Sequence, residues 1–357
     1  VSGKPVYYGP QQIVAYCVGR PSEGFGDRYL PFDEQRRIAR LPGQPFCFVD
    51  RVTELSDPPW ILKPSGWIEC EYDLPDAPWY VAANRQRDLP FSVILEAALQ
   101  PCGWLAAYLG SALRSDQDLH FRNLGGTAQL LRPITAANQC ITTRVRMTKV
   151  SEASGMIIQD FDLELYADGE LAYQGTTNFG FFPSASLAAQ VGVRGAAERA
   201  WVQNEGEAFP LESLGPPSPE AYEGKVLNEA GLLLPSTPYL MLDQISCFAP
   251  DGGPEGLGYI AGTRRVDPSE WFFKAHFYQD PVVPGSLGLE SFLQLLKVFA
   301  QRRWPQHVDS HRFGAIALGR DHEWIYRGQV IPANEEVLVE AVITAVEEEP
   351  DGTRRLH

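Results

Sequence analysis

The sequence predicts an α+β chain assembled from two copies of one unit, each a long apolar helix accompanied by several strands. Three observations carry that prediction. The chain repeats itself at a nearly constant offset, each copy holds one run with apolar helical spacing, and each such run is followed by stretches rich in β-branched and aromatic residues. A length of 357 residues suits two domains of ordinary size.

The repeat is legible segment by segment. Residues 45–52 read like 238–245 at an offset of 193, and Gly66-Trp67-Ile68 answers Gly258-Tyr259-Ile260 at 192. Trp79-Tyr80 answers Trp271-Phe272 at 192, residues 95–100 answer 289–294 at 194, and Leu124-Gly125 answers Leu318-Gly319 at 194. The chain then divides into an N-terminal extension (1–40), a first unit (41–182), a linker (183–229) and a second unit (230–357). The linker is rich in Ala, Gly, Glu and Pro, with Pro210, Pro216, Pro217 and Pro219 close together.

Each copy opens on a short apolar segment with an Asp near its end, Asp50 and Asp243, and continues into strands at 66–70 and 258–261. In the first copy Val93, Leu95, Leu99, Trp104, Leu105 and Leu109 make a helix so apolar that sheet should wrap it, with a kink expected at Pro101. In the second, Leu289, Phe292, Leu296 and Phe299 recur at steps of three and four, which predicts a helix from about 285 to 302. Strands are predicted at 139–150, 157–166 and 171–182, and over 336–346, where Val337, Val339, Ala341 and Ile343 alternate onto one face. Less chain follows the second helix than the first, so the last one or two strands of the second unit are expected to be absent.

Composition excludes several classes. With 30 basic and 45 acidic residues the formal net charge is −15, which repels phosphate backbones and argues against nucleic-acid binding. No apolar run is long enough to span a bilayer, and Val1-Ser2-Gly3-Lys4-Pro5 is not the start of a signal peptide. The six cysteines form no CxxC pair and no metal-ligand spacing, so they read as reduced thiols in a cytoplasmic protein, and no metal site or cofactor is expected. His307 and His311, beside Pro305 and polar neighbours, read as a solvated loop. His120, His322 and His357 have no supporting context, and Asp251-Gly252-Gly253 reads as a hairpin turn.

The chemistry concentrates in residues 273–290. His276 stands in a mostly apolar loop nine residues before Gly285, which follows Pro284 and precedes an apolar run, as a helix start should. A helix N-terminus offers unpaired NH groups and partial positive charge to an oxyanion, and Gly285 and Ser286 would supply them. Glu290 and Gln294 are four apart and share one helix face. Base, oxyanion donors and carboxyl are the parts needed to remove a proton beside a thioester and expel a β-hydroxyl.

The string His276-Phe277-x-x-Asp280-Pro281-Val282-x-Pro284-Gly285-x-Leu287-Gly288-Leu289 resembles the signature of the β-hydroxydecanoyl thioester dehydratases. The duplication resembles the dehydratase region of bacterial polyunsaturated fatty acid synthases. The resemblance implies the hotdog fold, in which an antiparallel sheet wraps one central helix, and here a double hotdog. It also implies that the His of one hotdog faces the acid on the central helix of the other. Carried over, His276 pairs with Glu96, with Gln100 beside it, and Glu290 faces Asn84, the residue opposite His276 in the repeat. Phe91 stands where the second unit has Gly285, so the first unit lacks both base and glycine. Glu290 replaces the signature's Asp, which argues against isomerase activity.

The implied function is dehydration of β-hydroxyacyl thioesters to enoyl thioesters, with the acyl chain on an acyl carrier protein tethered in the same synthase and no cofactor. Two alternatives use the same fold: a thioesterase in which a carboxylate activates water or attacks the thioester, and a non-catalytic acyl-binding double hotdog. Free thiol without enoyl product marks the first, and dehydration that survives His276→Ala excludes His276 as the base.

Overall fold

The computed structural model of the chain describes residues 3–203, 205–211 and 231–357. The apolar run of the first copy forms the helix Phe91–Tyr108, buried on every side. A helix without a polar face must be enclosed, and six strands enclose it: β1 (Arg51–Leu55), β2 (Trp67–Asp73), β3 (His120–Leu130), β4 (Cys140–Ala153), β5 (Met156–Ala167) and β6 (Glu170–Phe182). They pair antiparallel in the order β1-β2-β4-β5-β6-β3. The helix runs on through Pro101, which cannot donate to the Ala97 carbonyl one turn back. The Thr143 hydroxyl of β4 donates to that carbonyl instead, at 3.2 Å.

The second copy contributes β7 (Glu207–Pro210), β8 (Gln244–Ala249), β9 (Tyr259–Arg265), β10 (Asp321–Ile325), β11 (Glu336–Val342) and the small hairpin β12 (Val346–Glu348) and β13 (Arg354–Leu356). Its central helix is Gly285–Arg303. Strands β11-β9-β8-β7 form a four-stranded sheet on this helix, whereas β10 pairs antiparallel with β3 as the seventh strand of the first sheet. No strand among the described residues joins β10 to β11, where the first copy has β5 and β6. Asp251-Gly252-Gly253 lies in the β8–β9 connection.

Two expectations change. Part of the run read as linker is ordered into the helices Ser184–Ala188 and Ala196–Arg199 and the strand β7. Phe209 accounts for the strand, because it packs on the second core and carries the Arg302 guanidinium 4.0 Å over its ring. Pro210 is tolerated at this sheet edge. Pro216, Pro217 and Pro219 lie outside the described residues. In the second helix, Phe299 is buried and Leu289 and Leu296 are partly buried, but Phe292 is 47% exposed. The buried stripe instead passes through Leu287, Leu295 and Val298, together with the polar Glu290, Gln294 and Lys297.

The copies meet symmetrically. The equivalent indoles Trp79 and Trp271 make an edge contact 5.0 Å apart, and each donates to a proline carbonyl of its own copy, Pro45 at 3.2 Å and Pro238 at 2.9 Å. Asp50 accepts from the Asp73 amide at 2.8 Å, and Asp243 from the Arg265 amide at 2.7 Å, closing the same corner in each copy. On either side of the N-terminal helix Pro10–Cys17, Tyr8 and Phe25 pack on Trp104 of the first central helix, and Tyr29 packs on Phe25. Among the described residues no helix is long and apolar enough to cross a membrane.

Candidate active site

His276 directly follows the short helix Trp271–Ala275 and is buried. Its Nδ1 lies 3.0 Å from the Val282 carbonyl oxygen. A carbonyl only accepts, so Nδ1 carries the proton and Nε2 keeps a lone pair. The Phe277 ring stacks on the imidazole at 3.7 Å between centroids and fixes its plane. Burial pulls the imidazole down to about 3, outweighing the Val282 carbonyl that favours its charged form. It is therefore neutral, and a proton acceptor, at any ordinary pH.

The loop after His276 is pinned to the other copy. Asp280 takes two hydrogen bonds from Arg122 of β3, at 2.7 and 3.0 Å, and lies 2.9 Å from His120 Nδ1. Burial would raise this carboxyl, but the bonds from His120 and Arg122 prevail and hold it down to about 2. His120, which had no context in the sequence, thus gains one. Pro284 ends the loop as N-cap of the second central helix, leaving the first-turn amides of Gly285 and Ser286 without intrahelical acceptors.

Glu96 comes from the middle of the first central helix and is buried. The Ser286 hydroxyl donates to its Oε1 at 2.8 Å and Gln100 Nε2 to its Oε2 at 3.0 Å. Burial raises its pKa in spite of these two donors. Gln100 also donates to the Phe46 carbonyl at 2.8 Å and accepts from the Phe48 amide at 2.7 Å. Both its amide hydrogens are engaged by protein acceptors, so Gln100 orients Glu96 and clips segment 46–48 at the edge of the site.

His276, Glu96, Gln100, Gly285 and Ser286 line one cavity of about 450 Å³, within the usual range for small-molecule sites. Its apolar wall includes Leu99, Phe121, Phe179 and Val339. Arg122, Tyr326 and Arg40 are among the lining residues that the sequence did not announce. Arg122 and Tyr326 sit on β3 and just after β10, a strand pair that no local pattern announces. Arg40 closes the N-terminal extension and is buried, with Nη1 donating to the Tyr16 and Gly19 carbonyls at 3.0 Å each.

Glu290, Gln294 and Asn84 build the symmetry-related constellation, outside the lining of that cavity. Ser92 donates to Glu290 at 2.9 Å, Gln294 Nε2 donates to Glu290 at 3.1 Å, and Gln294 clips Tyr239 and Met241 as Gln100 clips Phe46 and Phe48. Two side chains fill this second site. Tyr239, where the first copy has Phe46, shares a hydrogen bond with Ser92. Lys297 reaches Glu290 at 3.6 Å and donates to Asn84 at 3.1 Å, so Asn84 meets a lysine rather than the glutamate directly. The offset of 194 places Gly103 opposite Lys297, and Gly103 lines the open cavity. The signal was available: a lysine on the Glu290 helix face, opposite a glycine in the repeat.

The FabA-like domain model matches residues 41–176 and 234–355, and the chain belongs to that family of hotdog domains. A polyunsaturated fatty acid synthase subunit of Thraustochytrium sp. is 30% identical to it over 358 residues, covering 94% of this chain and 23% of its own length. The chain therefore spans about a quarter of that curated relative. Among solved structures, the dehydratase heterocomplex ApeI:P from Xenorhabdus doucetiae is 16% identical with a TM-score of 0.30, over 42% of this chain and 91% of that one. A thioesterase from Haemophilus influenzae is 14% identical with a TM-score of 0.26, over 36% of this chain and 78% of that one.

Proposed function

We propose that this chain is a double hotdog that dehydrates β-hydroxyacyl thioesters to enoyl thioesters at one site, made by His276 of the second copy and Glu96 of the first. One observation carries the reading: an imidazole whose Nδ1 is committed to the Val282 carbonyl shares a cavity with a buried carboxyl whose pKa is raised. That is a base and an acid in their working forms together. His276 Nε2 takes the Cα proton, and the electron pair moves onto the thioester oxygen, where the Gly285 and Ser286 amides stabilise it. The pair then returns to form the Cα–Cβ double bond, and the β-hydroxyl leaves as water with the proton of Glu96. Passage of a proton from His276 back to Glu96 through water resets the site.

The units are read as hotdogs at 41–182 and 230–357, an extension at 1–40 that adds Arg40 to the cavity, and a connecting segment at 183–229. Family membership and the synthase relative support presentation of the acyl chain on an acyl carrier protein within a longer polypeptide. Tethering fits a net charge of −15, since acyl carrier proteins are usually acidic and a tether raises local concentration to about the mM range. The second constellation is read as closed, because Lys297 and Tyr239 occupy it and Asn84 is no base.

Three variants compared with wild type on a β-hydroxyacyl pantetheine thioester test this. Glu96→Gln should lower kcat about 10²–10⁴-fold, as should His276→Ala, while Glu290→Gln keeps it within a few-fold. Loss of dehydration in Glu290→Gln alone would overturn the assignment, and free thiol without enoyl product would favour a thioesterase.

A further inference from the structure

Tyr326 lies at the junction of the two copies. It follows β10, and its amide donates to the Leu124 carbonyl of β3 at 3.1 Å. The strand exchange that carries β10 into the first sheet therefore sets this ring against the start of the second central helix. The contact is close: a Cβ placed on Gly285 would lie 2.8 Å from Cε2 and Cζ of the Tyr326 ring and 3.2 Å from its hydroxyl oxygen. Glycine leaves room for the ring there, and the ring end that carries the hydroxyl packs on Gly285, the first residue of that helix.

The hydroxyl is buried on a cavity-lining side chain, yet it has no hydrogen-bond partner among the described residues. A buried phenol usually finds a partner, so an orphan at a cavity wall is placed for a ligand atom. Burial pushes its pKa up, so it keeps its proton and stays a donor. Glu96 itself already faces Ser286 and Gln100. The atom left for Tyr326 is the one that the Gly285 amide serves.

We propose that Tyr326 is a further catalytic residue, its hydroxyl donating a hydrogen bond to the thioester oxygen as negative charge develops there. The inference rests on the dehydratase reading and adds a side-chain donor to the two backbone amides. No bond to Tyr326 forms or breaks, and its proton stays on the phenol.

Tyr326→Phe keeps the ring against Gly285 and removes only the hydroxyl. Two reactions are followed with wild type and variant: dehydration of a β-hydroxyacyl pantetheine thioester, and exchange of the Cα hydrogens with deuterated water in the saturated acyl thioester of equal length, which has no leaving group. Loss of one oxyanion donor should lower both rates about 10²–10³-fold, with an unchanged melting temperature. A fall in dehydration with unchanged exchange would put the hydroxyl on the leaving group and overturn the proposal, as would wild-type rates in both reactions or a large loss of stability. A wild-type protein that neither dehydrates nor exchanges would sink the dehydratase reading, and this inference with it.

Discussion

At the scale of single residues, the site is held by two groups whose ionisation opposes the fold. His276 takes up its proton near 6.5 in the unfolded chain and only at about 3 in the folded one. Its contribution to stability is thus fully present above pH 6.5 and is lost as pH falls toward 3. Glu96 behaves in the opposite sense: its pKa is raised, so its contribution is present below the unfolded value and lost as pH rises through the folded one. Glu96→Gln replaces the neutral acid by a neutral amide, and should unfold at a higher urea concentration than wild type at pH 8 while being inactive. An equal or lower midpoint would mean that the carboxylate is well accommodated. His276, Glu96, Gly285 and Asn84 were legible because the repeat aligns them and the signature frames them. Arg122, Lys297 and Tyr326 were not, since their roles depend on side chains some 160 to 210 residues away or on strand pairing between copies.

At the scale of elements, the loop between His276 and Gly285 has no regular structure of its own, and its place comes from Asp280. The depressed carboxyl stabilises the fold above about 3.8, an effect lost as pH falls through about 2, so it is intact wherever the proposed dehydration would be assayed. Asp280→Asn removes the charge that Arg122 and His120 share and loosens the loop carrying the base. A misplacement near 1 Å can cost about 10² in rate, so kcat/KM should fall about 10–100-fold with the base and acid still present. A variant with wild-type kcat/KM would show that the Pro281–Pro284 path alone fixes the loop. The helices and the strands from 139 to 182 could be read from spacing because burial on one or all faces imposes it. Phe292 could not, since its apolar spacing looks the same whether a strand covers it or a cavity mouth leaves it exposed. Nor could β7, whose four residues sit in a Pro-rich run and pair only because β8 offers an edge.

At the scale of the molecule, duplication supplies two crossed constellations, and their divergence decides which one is open. Gly103 leaves space beside Glu96, whereas Lys297 fills the matching space beside Glu290. The repeat in the sequence predicts two crossed constellations with a base in only one of them, but not that a lysine stands beside Asn84. Lys297 and Glu290 are both buried, and burying either charge alone is costly. Lys297→Met should therefore destabilise the protein by about 3–5 kcal/mol in denaturant unfolding, the range for breaking a buried pair. Glu290→Gln in the same chain should recover most of that loss, because it removes the charge left without a partner. Dehydration at the His276–Glu96 site should persist in the double variant, which separates the structural work of this half from the chemistry of the other. If Lys297→Met is as stable as wild type, then the Lys297–Glu290 contact adds nothing to the fold, and what marks the second site is Tyr239 instead.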